Sequence, residues 1–272
     1  MRRADCLAPS KKSKVRNTNP PRIHGGEFTV ERQNEIASWI ADRHPFLSWL
    51  KRWRESLPEA SMKEIVEEAG GAENVGIVCV DVIVGFCKSG ALASPRVGEI
   101  VGPIVNLFTL GYSHGIRNFV LPQDQHPPDS PEFEAYGPHC MVGTEETETV
   151  PEIKNLPFAS IFKVLPKQSI NAGVDTEYPD WLEKHRNLTR FIVVGDVTDI
   201  CIYQTVTYLK ARSNQFKLNY QIIVPMDCVD TWDTPVEMAQ ELGIMPHDAE
   251  LLHTLFLYHM ALNGIHVVRR IT

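Results

Sequence analysis

The feature that most constrains the fold is a regular alternation, from Val75 onward, of short apolar runs with amphipathic stretches. The apolar runs are candidate strands and lie at residues 75–81, 116–121, 159–164, 190–195, 220–225 and 265–269. The stretches between them include candidate helices at about 95–112, 199–212, 234–243 and 247–263. This alternation is typical of βα units. We therefore predict an α/β fold, with a doubly wound, mainly parallel six-stranded sheet and helices on both faces.

The first quarter of the chain follows a different pattern. Apolar residues recur at helical spacing over residues 29–72, and Pro45 and Pro58 divide this stretch into two or three predicted helices. Residues 1–28 are basic and lack the apolar segment of a secretory signal. We predict a flexible basic tail at 1–28, although a transit peptide is an alternative. A helical extension then covers 29–72, and the main domain covers 73–272.

Composition limits the classes of partner. The chain has 272 residues, 43% of them hydrophobic, which suits a globular protein with a full core. Its net charge of -7 gives no field that would attract nucleic acid. No apolar run reaches the length of about 18 residues that a membrane span requires. Six scattered cysteines without a C-x-x-C pair suit a reducing compartment. We expect a cytoplasmic protein that acts on a small molecule, without nucleic-acid or membrane partners.

Polar residues that follow the predicted strands mark the candidate site. In open parallel sheets, ligands bind beyond the carboxyl ends of the strands. The residues found there are Asp81, Gln123, Asp124, His126, Lys163 or Lys167, the run Asp196 to Cys201, Asp227 and Cys228. The segment 122–157 is also too long for an ordinary connection, which favours a functional loop.

Cys201 is the candidate nucleophile. It lies a few residues after a predicted strand, where a helix begins. Backbone N–H groups and the positive end of the helix dipole lower the pKa of a thiol there, and the same groups can bind an oxyanion. A buried packing cysteine is the alternative interpretation of this residue alone.

Four segments together resemble the nicotinamidase and isochorismatase-like cysteine hydrolases. The sequence GDVTDIC, which ends at Cys201, resembles the G-x-x-T-D-x-C signature of that family. VDVIVGFCKSGAL, LPQDQHP with YGPHCMVGT, and KQSINAG resemble its other motifs in the same order. The resemblance covers roughly residues 75–272, so it implies that the main domain is an isochorismatase-like hydrolase domain.

The resemblance implies a catalytic triad of Asp81, Lys167 and Cys201. A thiol needs a base to remove its proton and a cation to stabilise the thiolate, which are the roles of the aspartate and the lysine. Lys163 competes with Lys167, because Asn171 and Gly173 depart from the family's lysine motif. The resemblance also implies a cis peptide bond between Asp196 and Val197, with the amides of Val197 and Cys201 as oxyanion donors.

A divalent metal ion is the implied cofactor. Its ligands would be Asp124, His126, Glu132 and His139, with Asp129 and Glu134 as fallback ligands. Oxygen and imidazole ligands suit zinc, which we expect first, or manganese or iron. A solvated acidic loop without metal is the alternative. The resemblance also places Phe86 and Tyr136 beside the substrate, where aromatic rings stack on a flat ligand.

The resulting functional hypothesis is hydrolysis of nicotinamide to nicotinate and ammonia through a Cys201 thioester. One alternative is another cysteine amidase of the family, with a carbamoyl, ureido or maleamate-type substrate. The other is a catalytically silent binding or assembly protein. We also expect a homo-oligomer, to which the N-terminal extension could contribute a contact.

Overall fold

The computed structural model describes residues 30–272, so the predicted tail at 1–28 lies outside the described residues. Within this range a parallel sheet of seven strands forms the centre of the domain. The strands are β1 (Val75–Val80), β2 (Asn118–Asp124), β3 (Phe162–Lys167), β4 (Arg190–Asp196), β5 (Gln221–Pro225), β6 (Val229–Asp230) and β7 (His266–Val268). Their order is β3-β2-β1-β4-β5-β7, and the short β6 pairs with the end of β4.

Helices cover both faces of this sheet. They are α1 (Val30–Glu55), α2 (Met62–Ala69), α3 (Val84–Cys87), α4 (Pro95–Glu99), α5 (Val101–Ser113), α6 (Phe133–Tyr136), α7 (Pro151–Lys154), α8 (Tyr178–Lys184), α9 (Tyr203–Phe216), α10 (Val236–Leu242) and α11 (Ala249–Leu262). No helix among residues 30–272 combines the length and the apolar character that crossing a bilayer would require. The predicted α/β class with helices on both faces of a mainly parallel sheet is confirmed.

The two faces of the sheet form two separate cores. Strand β1 is buried at all six positions, and its side chains alternate between the cores. Ile77 and Cys79 pack in the core that contains α2 and α5, whereas Val78 and Val80 pack in the core with α8, α9 and α11. Because side chains alternate along a strand, burial on both faces explains the continuous apolar run in the sequence.

Two strand predictions differ from the structure in detail. The third strand begins at Phe162 and continues to Lys167, three residues later than predicted. It includes Pro166, which is tolerated because β3 is an edge strand and one side of its backbone needs no partner. The strand that was not predicted, β6, has only two residues, which is too short to produce a hydrophobic pattern.

The N-terminal extension forms two helices, α1 and α2, where two or three were predicted. Helix α1 continues through Pro45, so the prediction of a break there was wrong. Proline removes one backbone hydrogen bond from a helix, but the second half of α1 is held by other contacts. The rings of Phe46, Trp49 and Trp53 lie 5.6–5.7 Å from the ring of Tyr258 on α11. The first half of α1 projects beyond this contact and leaves apolar side chains exposed.

The strand order gathers the candidate site at one edge of the sheet. Strands β3, β2, β1 and β4 are consecutive neighbours, and all four run in the same direction. Their carboxyl ends therefore meet at one edge. The register pairs Asp124 directly with Lys167, and Val80 with Gly195. This arrangement brings together motifs that are up to about 120 residues apart in the sequence.

Gly195 is required by the close approach of β4 to β1. Its φ of +114° is a conformation that residues with side chains rarely adopt. A Cβ atom at this position would lie 2.0 Å from the carbonyl oxygen of Val80, well inside contact distance. Only glycine therefore fits at this position near the end of β4, where the GDVTDIC motif begins.

We predict that Gly195→Ala lowers the free energy of unfolding by about 3 kcal/mol or more, because backbone strain and steric overlap add at one position. Gly102→Ala is the matched control, since no atom lies within 4 Å of its added Cβ in helix α5 and alanine favours a helix. Chemical denaturation of both variants measures the difference. Equal stability of the two variants would contradict the predicted constraint.

Candidate active site

Asp81, Lys167 and Cys201 come together at the carboxyl edge of the sheet. The Lys167 Nζ atom lies 2.7 Å from Asp81 Oδ2 and 3.7 Å from Cys201 Sγ. All three side chains are buried. Lys163, the competing lysine, is exposed on β3 and pairs with Glu177 at 2.8 Å, away from this cluster. Of the two lysines, the structure therefore brings only Lys167 to the cysteine.

Local backbone structure fixes the position of Asp81. Its amide donates a hydrogen bond to the carbonyl of Pro122, and its Oδ1 accepts one from the amide of Asp124 at 2.8 Å. These two bonds tie the end of β1 to the end of β2. Asp81 also has a φ of +58°, which is uncommon for a residue with a side chain and occurs often at functional sites.

A second carboxylate shares the Lys167 ammonium. Asp124 Oδ1 lies 2.5 Å from Lys167 Nζ, so one cation lies between two buried carboxylates. Although burial disfavours the charged amine, Asp124 and Asp81 raise the pKa of Lys167 above its usual range. The lysine therefore stays protonated, and one net negative charge remains on the three groups when both carboxyls are ionised.

This arrangement moves the pKa values of the two carboxyls apart. Burial, together with the nearby Asp124 carboxylate, raises the pKa of Asp81 to about 7, and Lys167 opposes this rise. Burial also disfavours the ionised form of Asp124, but Lys167 and His126 hold its pKa below the usual range. Asp81 can therefore accept a proton near neutral pH, whereas Asp124 stays ionised.

The Cys201 thiol is protonated in its resting state. Burial raises its pKa above the usual range, Lys167 acts to lower it, and Asp81 raises it further through its charge and a hydrogen bond. The thiol consequently needs a proton acceptor before its sulfur can act as a nucleophile. The Asp81 carboxyl is the acceptor that the geometry offers.

Cys201 lies in a single π-helical turn, Thr198–Ile202, between β4 and α9. The Asp196–Val197 peptide bond before this turn is cis. Two histidines from the C-terminal region lie against the turn: His253 Nδ1 is 2.8 Å from Thr198 Oγ1, and His247 Nε2 is 2.8 Å from Asp199 Oδ2. Neither histidine could be found from the sequence, because each is about 50 residues from its partner and belongs to no local motif.

Asp196 is a further buried carboxyl beside the cavity. It is 1% exposed, and its Oδ2 lies 3.8 Å from the Cys87 sulfur. Burial and the nearby Asp81 carboxylate raise its pKa well above the usual range. Burial at this position therefore favours the neutral form of the carboxyl.

The four predicted metal ligands form one cluster. His126 Nε2 lies 3.6 Å from Asp124 Oδ2 and 4.0 Å from Glu132 Oε1, and His139 Nε2 lies 4.0 Å from Asp124 Oδ2. One ligand atom from each of the four side chains lies within 4.8 Å of the others. Asp129 and Glu134, the fallback ligands, are not part of this group.

The hydrogen bonds of the two histidines suit a metal ion at this cluster. His139 Nδ1 donates to the Gly137 carbonyl at 2.8 Å, which leaves Nε2 with a free lone pair. His126 Nε2 is buried and has no hydrogen-bond partner. Ligands on bonds of about 2.1 Å in a tetrahedral site are about 3.4 Å apart, so small side-chain shifts would complete coordination. The donor set therefore fits zinc, manganese or iron.

A cavity of about 370 Å³ joins the cysteine to this cluster. Cys201, Asp124, Glu132 and His139 all line it, as do both aromatic residues predicted beside the substrate. The ring centroids of Phe86 and Tyr136 lie 5.8 Å and 6.4 Å from that of His139. A flat ligand in this cavity would contact aromatic rings, the thiol and the candidate metal ligands together.

Comparisons with known proteins agree with the motifs. A model of the Isochorismatase domain matches residues 75–247. Nicotinamidase 1 of Arabidopsis thaliana is 33% identical over 220 residues, which cover 73% of this chain and 87% of that protein. Residues 75–247, which the domain model matches, contain the four segments from which the resemblance was inferred.

Solved structures share the fold at lower identity. A nicotinamidase of Bacillus subtilis superposes with a TM-score of 0.57 and 22% identity, covering 72% of this chain and 99% of its own. An N-carbamoylsarcosine amidase of Thermoplasma acidophilum gives a TM-score of 0.54 and 24% identity, covering 72% and 96%. The domain match, the relative and the common fold lead to one conclusion: the chain belongs to the isochorismatase-like hydrolase family, which includes the nicotinamidases.

Proposed function

We propose that this protein is a cysteine amidohydrolase that converts nicotinamide to nicotinate and ammonia. The observation that carries the proposal is the meeting of the Cys201 thiol, the Asp81 carboxylate and the Lys167 ammonium at one cavity, beside a metal-type cluster. The relative at 33% identity, which is a nicotinamidase, supports this choice of substrate.

Asp81 acts as the general base and then as the general acid. It takes the proton from the Cys201 thiol while the sulfur attacks the amide carbon, and an S–C bond forms. When the tetrahedral intermediate collapses, the C–N bond breaks and Asp81 returns the proton to the departing ammonia. A water molecule then cleaves the thioester, which releases nicotinate and restores the thiol. The raised pKa of Asp81, about 7, suits both directions of proton transfer.

Lys167 stabilises the thiolate as it forms and keeps Asp81 in place. Its ammonium lies 3.7 Å from the sulfur and 2.7 Å from the carboxylate. The amides of Val197 and Cys201 are the proposed donors to the oxyanion, as the resemblance implies. Phe86 and Tyr136 would hold the pyridine ring by aromatic contact.

Asp124, His126, Glu132 and His139 would hold the metal ion. A divalent ion bound there supplies a Lewis acid that anchors the ring nitrogen of the substrate. Zinc is the ion that we propose first, with manganese or iron as alternatives. The four side chains line or adjoin the cavity that contains Cys201, so they would orient the amide group over the sulfur.

The expected homo-oligomer, the cytoplasmic location and the absence of nucleic-acid and membrane partners stay predictions. For the oligomer, the exposed apolar side chains of Ile36, Trp39 and Ile40 on the first half of α1 are the supporting feature. A second copy covering this face would remove them from water.

We predict that Cys201→Ala lowers kcat for ammonia release from nicotinamide by about four orders of magnitude or more, because the covalent route is lost. Cys228→Ala is the matched control, since Cys228 is also buried but lies outside the cavity. Ammonia release by both purified variants is the measurement. Turnover by Cys201→Ala at the wild-type rate would remove the thiol from the mechanism.

The two lysines of β3 offer a second matched pair. Lys167→Met should lower kcat by about 10²–10⁴-fold and also lower Tm, because two buried carboxylates lose their cation. Lys163→Met should leave both quantities nearly unchanged, because its ion pair with Glu177 is exposed. Rates are compared well below the Tm of each variant. The reverse pattern would give the catalytic role to Lys163.

Metal content tests the cluster directly. The purified protein should contain about one divalent ion per chain, and His126→Ala or His139→Ala should weaken its binding by about 100-fold or more. His266→Ala, an exposed histidine on β7, is the control. Elemental analysis with competition by a chelator gives the affinities. A metal-free wild-type protein with full amidase activity would contradict the metal assignment and favour a carbamoyl, ureido or maleamate-type substrate.

A further inference from the structure

The cavity extends beyond the groups that the proposed reaction needs. Sixteen of its lining residues belong neither to the candidate triad nor to the metal cluster nor to the aromatic pair, and twelve of these are apolar. The four polar ones are Ser94, Asp196, Asp233 and Thr234. Six of the twelve apolar ones are Leu92, Val97, Trp232, Met238, Leu242 and Ile244. We call the part of the cavity that they line the lid chamber, and residues 231–247 the lid. A volume of about 370 Å³ is in the range of sites that bind ligands larger than one six-membered ring.

The lid leaves apolar surface uncovered at the cavity. Met238, Leu242 and Ile244 are 51%, 64% and 50% exposed although they line it. Helix α10, which carries the first two, buries only Ala239 against the rest of the protein. Apolar side chains grouped around a cavity favour a ligand that removes them from water. Nicotinamide, a single ring with one amide, has no substituent that could reach them.

The base of the lid is fixed to the segment that carries the nucleophile. The Trp232 ring stacks on His247 with centroids 3.9 Å apart, and His247 Nδ1 donates to the Trp232 carbonyl at 2.8 Å. His247 Nε2 contacts Asp199, two residues before Cys201, at 2.8 Å. Thr234 and His247 also exchange two backbone hydrogen bonds. The position of the lid chamber is therefore set relative to the sulfur.

Charge around the lid chamber disfavours an anionic ligand arm. Asp233 also lines the cavity. Asp233 Oδ1 accepts a hydrogen bond from the Ala249 amide at the start of α11, so this oxygen already has a partner. A negatively charged arm would meet the Asp233 carboxylate, whereas an apolar arm would contact the six apolar side chains.

We propose that the preferred substrates are pyridine carboxamides that carry an apolar substituent on the ring, with the substituent held in the lid chamber. The proposal rests on the amidase function proposed above. It adds the lid, in particular Met238 and Leu242, as the part of the chain that selects the substrate. Nicotinamide would then be accepted as the smallest member of the class.

The first test compares kcat/KM for nicotinamide with that for analogues bearing a butyl group on each free ring carbon in turn. At least one butyl isomer should exceed nicotinamide by about tenfold, the effect of filling an apolar pocket. Analogues whose arm ends in a carboxylate or an ammonium group complete the panel. A preference for the ammonium arm would overturn the proposal and indicate recognition by Asp233.

The second test uses a matched pair of surface leucines. Leu242→Ser should lower the ratio of kcat/KM for the best butyl isomer to that for nicotinamide by about tenfold. Leu262→Ser should leave this ratio unchanged, since Leu262 is 65% exposed, as Leu242 is at 64%, but does not line the cavity. An unchanged ratio in Leu242→Ser would overturn the proposal.

The outcomes separate this proposal from the one on which it rests. If nicotinamide releases ammonia faster than every substituted analogue, the proposed substrate class is overturned and the amidase function still stands. No ammonia from any amide of the panel overturns both. Faster release from a butyl isomer, sensitive to Leu242→Ser, supports both.

Discussion

The structure of the site depends on one buried cation placed between two buried carboxylates. Lys167, at the end of β3, contacts Asp124 at the end of β2 and Asp81 just after β1. Removing either kind of charge would leave the other unpaired in the interior, which is strongly unfavourable. The three strand ends are therefore held in one arrangement, and this arrangement brings the Cys201 sulfur within 3.7 Å of the ammonium.

The same three charges divide the chemical work. Lys167 and His126 keep Asp124 ionised, whereas burial and the Asp124 charge raise the pKa of Asp81 to about 7. The ionised carboxylate faces His126 and His139, where a cation can bind. The other is available to exchange a proton with the thiol. A single ion triad thus separates the proposed metal ligand from the proposed general base on adjacent strands.

The periphery of the cavity is held less tightly than the edge of the sheet where Asp81, Lys167 and Cys201 meet. The triad edge is built from strand ends, whose positions are set by the sheet register. The lid, in contrast, is attached through Trp232, His247 and Asp199 and is otherwise largely exposed. Such a segment can change its side chains at little cost to the fold. The lid is therefore the part of the cavity where we expect substrate selection.

The sequence by itself determined the six longer strands, the two-sided helical cover and the residues that could carry chemistry, because hydrophobic periodicity and short motifs are local properties. It left Lys163 and Lys167 as competitors and predicted a break at Pro45. Only the tertiary structure decided which lysine faces the thiol. It also decided that α1 continues past Pro45 and packs on Tyr258. The contacts of His247 and His253 with the turn Thr198–Ile202 likewise appear only in the folded chain. Those facts depend on contacts between residues far apart in the chain, and no local pattern encodes them.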